Sequence, residues 1–173
     1  MMIAQKDIGI EEFATKQELM QALDDVSTPY QIFDMDVESP CEFYCYHINL
    51  PAFGRLNIGI LSIGVGVNPC FIVKDNHVFI GYNDRLVVIW VKEKLEIRQI
   101  NLCTCFAGFV DVPSASYLLV IGEAAIIAVS IDGQEVWRRD TDLIKKIKWE
   151  KPRLNLTFWD DPSITLDLND VNP

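Results

Sequence analysis

The sequence predicts a mainly β protein, with antiparallel blade-like meanders in stacked or sandwiched sheets and one N-terminal α-helix. Three observations lead there. From residue 30 onward, short runs rich in β-branched and aromatic residues follow one another, with brief turn sequences between many of them. Helical periodicity is clear in only one segment, near the start. A hairpin-like stretch, Val78 to Arg98, recurs without gaps as Leu119 to Arg139, and a period of roughly 40 residues is that of a four-stranded unit.

The helix is announced by "TKQE", residues 15–18. This is a capping box, in which the Thr15 hydroxyl accepts from a free backbone N–H and Glu18 is expected to reach back to the Thr15 amide. Leu19, Ala22, Leu23 and Val26 recur at helical spacing, and Pro29 ends the run by disfavouring helical backbone at Thr28. Residues 1–29 therefore read as an N-terminal helical segment and 30–173 as an antiparallel β domain.

Strands are expected at "YQIFDMDV", "EFYCYHINL", "FIVK", "HVFIGY", "RLVVIWV", "LEIRQINL", "YLLVIG", "IIAVSI", "QEVWRR", "LIKKIKWE", "RLNLTFW" and "SITLDL". Turns fall at Asp75-Asn76, Asn83-Asp84, Lys92-Glu93, Asp132-Gly133 and Asp161-Pro162. Asp132-Gly133 is the strongest signal, because a type I′ hairpin turn needs positive φ and glycine supplies it. Connections this short impose antiparallel neighbours. The apolar stretches around 56–73 and 117–131 read as strands buried on both faces.

In the repeat, Ile80-Gly81 falls on Ile121-Gly122, Leu86 on Ile127 and Val88 on Val129. "SITLDLND", residues 163–170, falls on "IIAVSIDG", residues 126–133. Residues 119–139 also have strand, Gly, strand, Asp-Gly turn, then Val-Trp. In this they resemble a blade of the quinoprotein-type β-propellers. The resemblance implies a blade-like meander and carries no quinone site, which needs a whole ring. Roughly three blades fit after residue 30, whereas closed propellers typically use four to eight. An incomplete, propeller-like set is expected, with sheet edges that invite a homodimer.

Composition narrows the class of partner. The net charge of -10 repels nucleic acid and favours basic proteins. The start shows no secretory pattern, and no apolar run reaches the roughly 20 residues of a membrane span. A cytoplasmic protein with five free thiols is the expectation.

Candidate chemistry is sparse. In "CEFYCYHINL", strand alternation puts Cys41, Phe43, Cys45 and His47 on one face and Glu42, Tyr44, Tyr46 and Ile48 on the other. Cys41 and Cys45 are roughly 13 Å apart on such a strand, too far to share a metal. Cys45, His47, Cys103 and Cys105 make four zinc ligands on paper, if the "CTC" segment packs opposite. Packing thiols are the simpler reading. "GVGVNP" lacks the third glycine and the helix of a dinucleotide loop, so Gly64 and Gly66 mark a bend or close approach. Glu123 and Asp160-Asp161 read as solvated turn residues, and His77 as a surface histidine. No cofactor is indicated.

The segment 138–153 holds seven of the fifteen basic residues. Lys146 and Lys148 alternate there with Ile147 and Trp149, as on an edge strand protected by charge or on a docking patch. The chain reads as a non-catalytic protein-interaction module. Asp160, Asp161, Lys146 and Lys148 are its candidate partner-binding residues. The alternatives are an immunity or antitoxin protein that offers acidic surface to a basic toxin, and an enzyme whose site has no sequence signature.

Overall fold

A computed structural model of the chain describes residues 3–24, 28–51, 53–91, 94–113, 115–150, 152–160 and 162–167. They form four sheets and one α-helix, α1 (Lys16–Asp24). The first sheet contains β1 (Ile8–Phe13), β2 (Tyr30–Phe33), β3 (Glu42–Leu50) and β4 (Gly54–Ser62), in the order β1-β3-β4-β2. The second and third are four-stranded meanders in chain order. One is β5 (Cys70–Lys74), β6 (His77–Tyr82), β7 (Arg85–Val91) and β8 (Leu95–Asn101). The other is β9 (Phe106–Asp111), β10 (Tyr117–Gly122), β11 (Ala125–Ser130) and β12 (Glu135–Asp140). The fourth is β13 (Ile144–Glu150), β14 (Arg153–Phe158) and β15 (Ser163–Asp167).

The sheets stack in chain order, because the inner ones are apolar on both faces. Tyr44, Tyr46, Ile48, Ile58 and Ile60 of the first meet Val78, Ile80, Val87 and Ile89 of the second. Phe79, Leu86 and Val88 on its other face meet Leu118, Val120 and Ile127 of the third. Leu119, Ile121 and Ile126 then meet Leu154, Leu156 and Phe158 of the fourth. At the near end, Leu19 and Leu23 of α1 cover Phe43, Cys45 and Leu61. Each such fully buried leucine contributes about 1.5–3 kcal/mol.

Many of the expected elements are found. An offset of 41 residues (119 − 78) carries β6, β7 and β8 onto β10, β11 and β12, and β15 takes the third-strand position of its sheet, as β11 does. Asp75 and Asn76 both have positive φ (47° and 65°) between β5 and β6. The Lys92-Glu93 and Asp161-Pro162 turns, and Val26, involve residues outside those described.

Several expectations are corrected. Residues 8–13, inside the segment read as helical, form β1, and residues 106–111 form β9. "YQIFDMDV" is a strand only over Tyr30–Phe33, and β2 runs parallel to β4, since β3 lies between them in the chain and reverses its direction before β4. Glu18 accepts from the N–H of Ala14 (3.0 Å), one residue before the expected partner, while Thr15 Oγ1 accepts from Glu18 N–H as expected. At Asp132-Gly133 only Gly133 has positive φ (79°), and Ser130 O accepts from Gly133 N–H. That is a type I turn closed by a left-handed glycine, in place of type I′. His77 is buried, with 8% exposure, because its ring stacks on Trp90.

Candidate interaction surface

β13 is an edge strand of the fourth sheet among the described residues, paired only with β14. Its alternation from Lys146 onward sends Lys146 and Lys148 outward and Ile147 toward the third sheet, and an irregularity between Ile144 and Lys146 lets Ile144 pack on that side too. Both lysines are exposed, and Lys148 meets Glu150 at 2.5 Å. Their faces are shared, through the β13–β14–β15 register, by Asn155, Thr157, Ser163 and Thr165. Hydroxyls and amides on that face bond each other, Thr165 donating to Asn155 Oδ1 at 2.6 Å. The outward face of the last sheet is thus polar, and Trp149 stays exposed where packing was expected.

Beside β13 runs a groove of about 290 Å³, lined by Ile144–Ile147, Phe106, Ala107, Glu123 and the Gly66-Val67 segment. The linkers set its walls. Gly66 has φ of 81°, and a Cβ there would stand 2.8 Å from the Phe106 carbonyl oxygen, so this is the close approach expected of the glycine. Ile144 N–H donates to Glu123 O (2.7 Å), which fixes the start of β13. Glu123 is half-buried, and its carboxyl accepts from the Cys105 thiol, so it is not the solvated turn residue expected.

Next to Ile144 and Lys145 of the groove stand two exposed apolar side chains that the sequence reading missed. Trp159 is 64% exposed and Leu143 55%. They are neighbours, since Trp159 N–H donates to Leu143 O at 3.1 Å. Lys145 Nζ lies 5.5 Å from the centre of the Trp159 ring. Asp160 follows, exposed as expected, and Asp161 lies outside the described residues. A tryptophan at the tip of "FWDDP", where a turn needs none, was the signal available.

The four metal-ligand candidates are not brought together. Cys45 and His47 sit on the α1-facing side of the first sheet, whereas Cys103 and Cys105 lie in the linker between the second and third, with the second sheet between. Among the described residues no group of three or more His, Cys, Asp or Glu is placed to hold a metal ion. His47 Nδ1 donates to Asn57 Oδ1 (2.8 Å), and Nε2 faces Glu11 Oε2 (3.2 Å). Asn57 is fully buried and donates to Thr28 Oγ1 at 2.7 Å, tying the chain after α1 to β4. Cys45 Sγ is 3.6 Å from the same Nδ1, but burial pushes its thiol up to about 11, against nucleophilic use. Burial does the same to Cys70. Cys41 and Cys103 are exposed.

A buried charge also escaped the sequence reading. Lys74, 7% exposed, donates to Asp111 Oδ1 (2.7 Å) and to Val112 O (3.0 Å), pinning the second sheet to the third. No helix among the described residues is long and apolar enough to cross a membrane. No protein-family model matches the chain, and no curated protein matches it.

Proposed function

We propose that the chain is a non-catalytic protein-binding module of the cytoplasm, and that its interface is the β13 side of the fourth sheet. The observation that carries this is the adjacent exposure of Trp159 and Leu143 beside Lys145 and Asp160. Aromatic anchors ringed by polar and charged groups are where interfaces concentrate their binding energy. Truncating such an anchor typically removes about 2 kcal/mol or more of binding. The blade-like meanders would be the rigid support for that surface, as the resemblance of residues 119–139 to a propeller blade suggests.

The test is photo-crosslinking in the native cell from a reactive residue at position 143, in chains with and without Trp159→Ala. Partners joined by the parent and lost in the variant, with unfolding unchanged, support the reading. The same partners at the same yield in both would end it. A second reading, an antitoxin-type protein that meets a basic toxin, draws on the exposed Asp160 within the same patch. There Asp160→Asn would slow association and flatten its dependence on salt.

A further inference from the structure

We infer that His47 is a proton-operated latch in the first sheet: with protons on both ring nitrogens it fastens the edge strand β1 to β3 and β4, and loss of one proton loosens β1. The assignment comes from the hydrogen bonds around one fully buried amide, that of Asn57. Its Oδ1 lies 3.2 Å from Arg55 Nε, and a guanidinium only donates, so that atom is the amide oxygen. Asn57 Nδ2 accordingly donates to Thr28 Oγ1 at 2.7 Å. His47 Nδ1 stands 2.8 Å from the same oxygen and must therefore carry a proton. Nε2 stands 3.2 Å from Glu11 Oε2, a carboxylate oxygen that only accepts, so it must carry one as well. An imidazole that donates from both nitrogens is an imidazolium.

The ring sits where several segments meet. In the ladders His47 is opposite Gly9 of β1 and Asn57 of β4. Through Glu11 it holds β1, which pairs only with β3 among the described residues. Through Asn57 it reaches Thr28, and Asn57 N–H also donates to Pro29 O (3.0 Å), where the chain enters β2. Every described charge around the ring is accounted for. Glu11 favours the imidazolium, and Arg55, bonded to the same amide oxygen, opposes it. Cys45 Sγ is 3.6 Å from Nδ1, and burial keeps that thiol protonated. From α1 the face receives the apolar Leu19 and Leu23, while Lys16, Glu18 and Asp24 are bonded to Met35 O, Ala14 N–H and Tyr30 Oη. The Nδ1 proton is the one retained, because Arg55 and Thr28 hold the amide in place. The Nε2 proton is the one that leaves, to solvent, since the side chain is 22% exposed. A bare Nε2 then faces a carboxylate, and Glu11, 58% exposed, turns away into water. The fastened state binds one proton more than the loosened state, so falling pH fastens β1 and rising pH loosens it. Histidine is the side chain whose charge changes between about pH 5 and 8.

The experiment follows the nitrogen-15-labelled intact protein by NMR from about pH 5 to 8, the range of the imidazole. It reads the ring nitrogens of His47 and the hydrogen-exchange protection factors of β1, which remove the intrinsic pH dependence of exchange, with β14 as reference. The parent is compared with Glu11→Gln, a change at an exposed position. The glutamine amide can turn its oxygen to a protonated Nε2 or its nitrogen to a bare one, so it keeps the contact in both states. In the parent, protection of β1 is expected to fall by about two- to fivefold as pH rises, the weight of a partly exposed ion pair, while β14 stays constant. At the alkaline end the remaining ring proton is expected on Nδ1. In Glu11→Gln the protection of β1 should be level across the range. Constant protection of β1 in the parent, an equal fall in Glu11→Gln, an equal fall in β14, or a remaining proton on Nε2 would each overturn the inference.

Discussion

Replacing Gly81 with alanine tests the packing between the second and third sheets. A Cβ at Gly81 would stand 2.3, 2.4 and 2.6 Å from Cε2, Cζ and Cδ2 of Phe106. Carbon atoms sit comfortably at about 3.5–4.0 Å, so the ring must retreat by about 1 Å or more. It has no room to do so. Phe106 is fully buried, and its ring centre lies 4.8 Å from that of Phe109. Its backbone N–H is bonded to Asn83 O, and Gly66 crowds its carbonyl oxygen. Overpacking costs about 1–3 kcal/mol, and a pinned ring puts Gly81→Ala near about 3. Phe106→Ala alone costs about 3–5 kcal/mol through the cavity it leaves. In the double variant the new methyl enters that cavity, so the pair costs no more than Phe106→Ala. The two effects then fall short of additivity by at least the Gly81→Ala cost, about 3 kcal/mol. Urea unfolding measures all four proteins, with the midpoint moving and the slope held. A Gly81→Ala midpoint within about 0.5 kcal/mol of the parent, or an additive double variant, would refute the reasoning.

Three further outcomes are expected. Asp111→Ala, which leaves the buried Lys74 ammonium with only Val112 O, should cost about 3–5 kcal/mol; Lys74→Met, which leaves a half-exposed carboxylate, should cost much less, and equal losses in urea unfolding would contradict this. Cys41 and Cys103 should react with a thiol reagent in the native protein, while Cys45 and Cys70 react only on unfolding, as mass spectrometry of a modification time course would read. Cys45 and Cys70 ionise at about 11 when folded against an ordinary 9, so stability is complete below pH 9 and declines as pH rises toward 11, while Cys45→Ala/Cys70→Ala loses part of that slope; a flat profile over this window would count against it.

Most of the two middle sheets was readable in the sequence because all their strands but β9 announce themselves locally. Strands β6, β7, β10 and β11 are β-branched runs buried on both faces, and short turns hold them antiparallel. The alternation in "EFYCYHINL" was readable for the same reason, with Phe43 and Cys45 under α1 and Tyr44 and Tyr46 against the second sheet. What was missed depends on distant partners. β1 has the sequence "IGIEEF" and is a strand because β3 pairs with it from Ile8↔Ile48 to Phe13↔Phe43. β9 contains two small residues and reads as a loop until β10 supplies its ladder. His77 followed a turn, and its burial depends on partners such as the Trp90 ring, opposite it in the ladder, and the Phe79 ring. Of the interface candidates, the lysine alternation was legible. Exposure of Leu143 and Trp159 was not, because hydropathy alone sends both inward.

The two ends of the stack bear on why the proposed interface lies beside an edge strand. A propeller closes when every sheet has two apolar faces to share with neighbours. Here the first sheet gives its outer face to Leu19 and Leu23 of α1, and beyond the helix lie the polar His47, Asn57 and Glu11. The last sheet turns Lys146, Lys148, Asn155, Thr157, Ser163 and Thr165 outward. Stacked-repeat proteins finish in this way, with a terminal unit whose outer face is polar. Adding another sheet to either end would bury charges and amides without partners, at a cost of several kcal/mol each for the charges. The faces are therefore finished, and what remains available is the strand edges and the linkers that cross them. Those edges are not alike. β1 presents Glu11 and Glu12, whereas β13 presents lysines beside the exposed pair Leu143 and Trp159. At the proposed interface, desolvating that apolar pair would favour binding, and the lysines of the neighbouring strand would bias the charge of what binds.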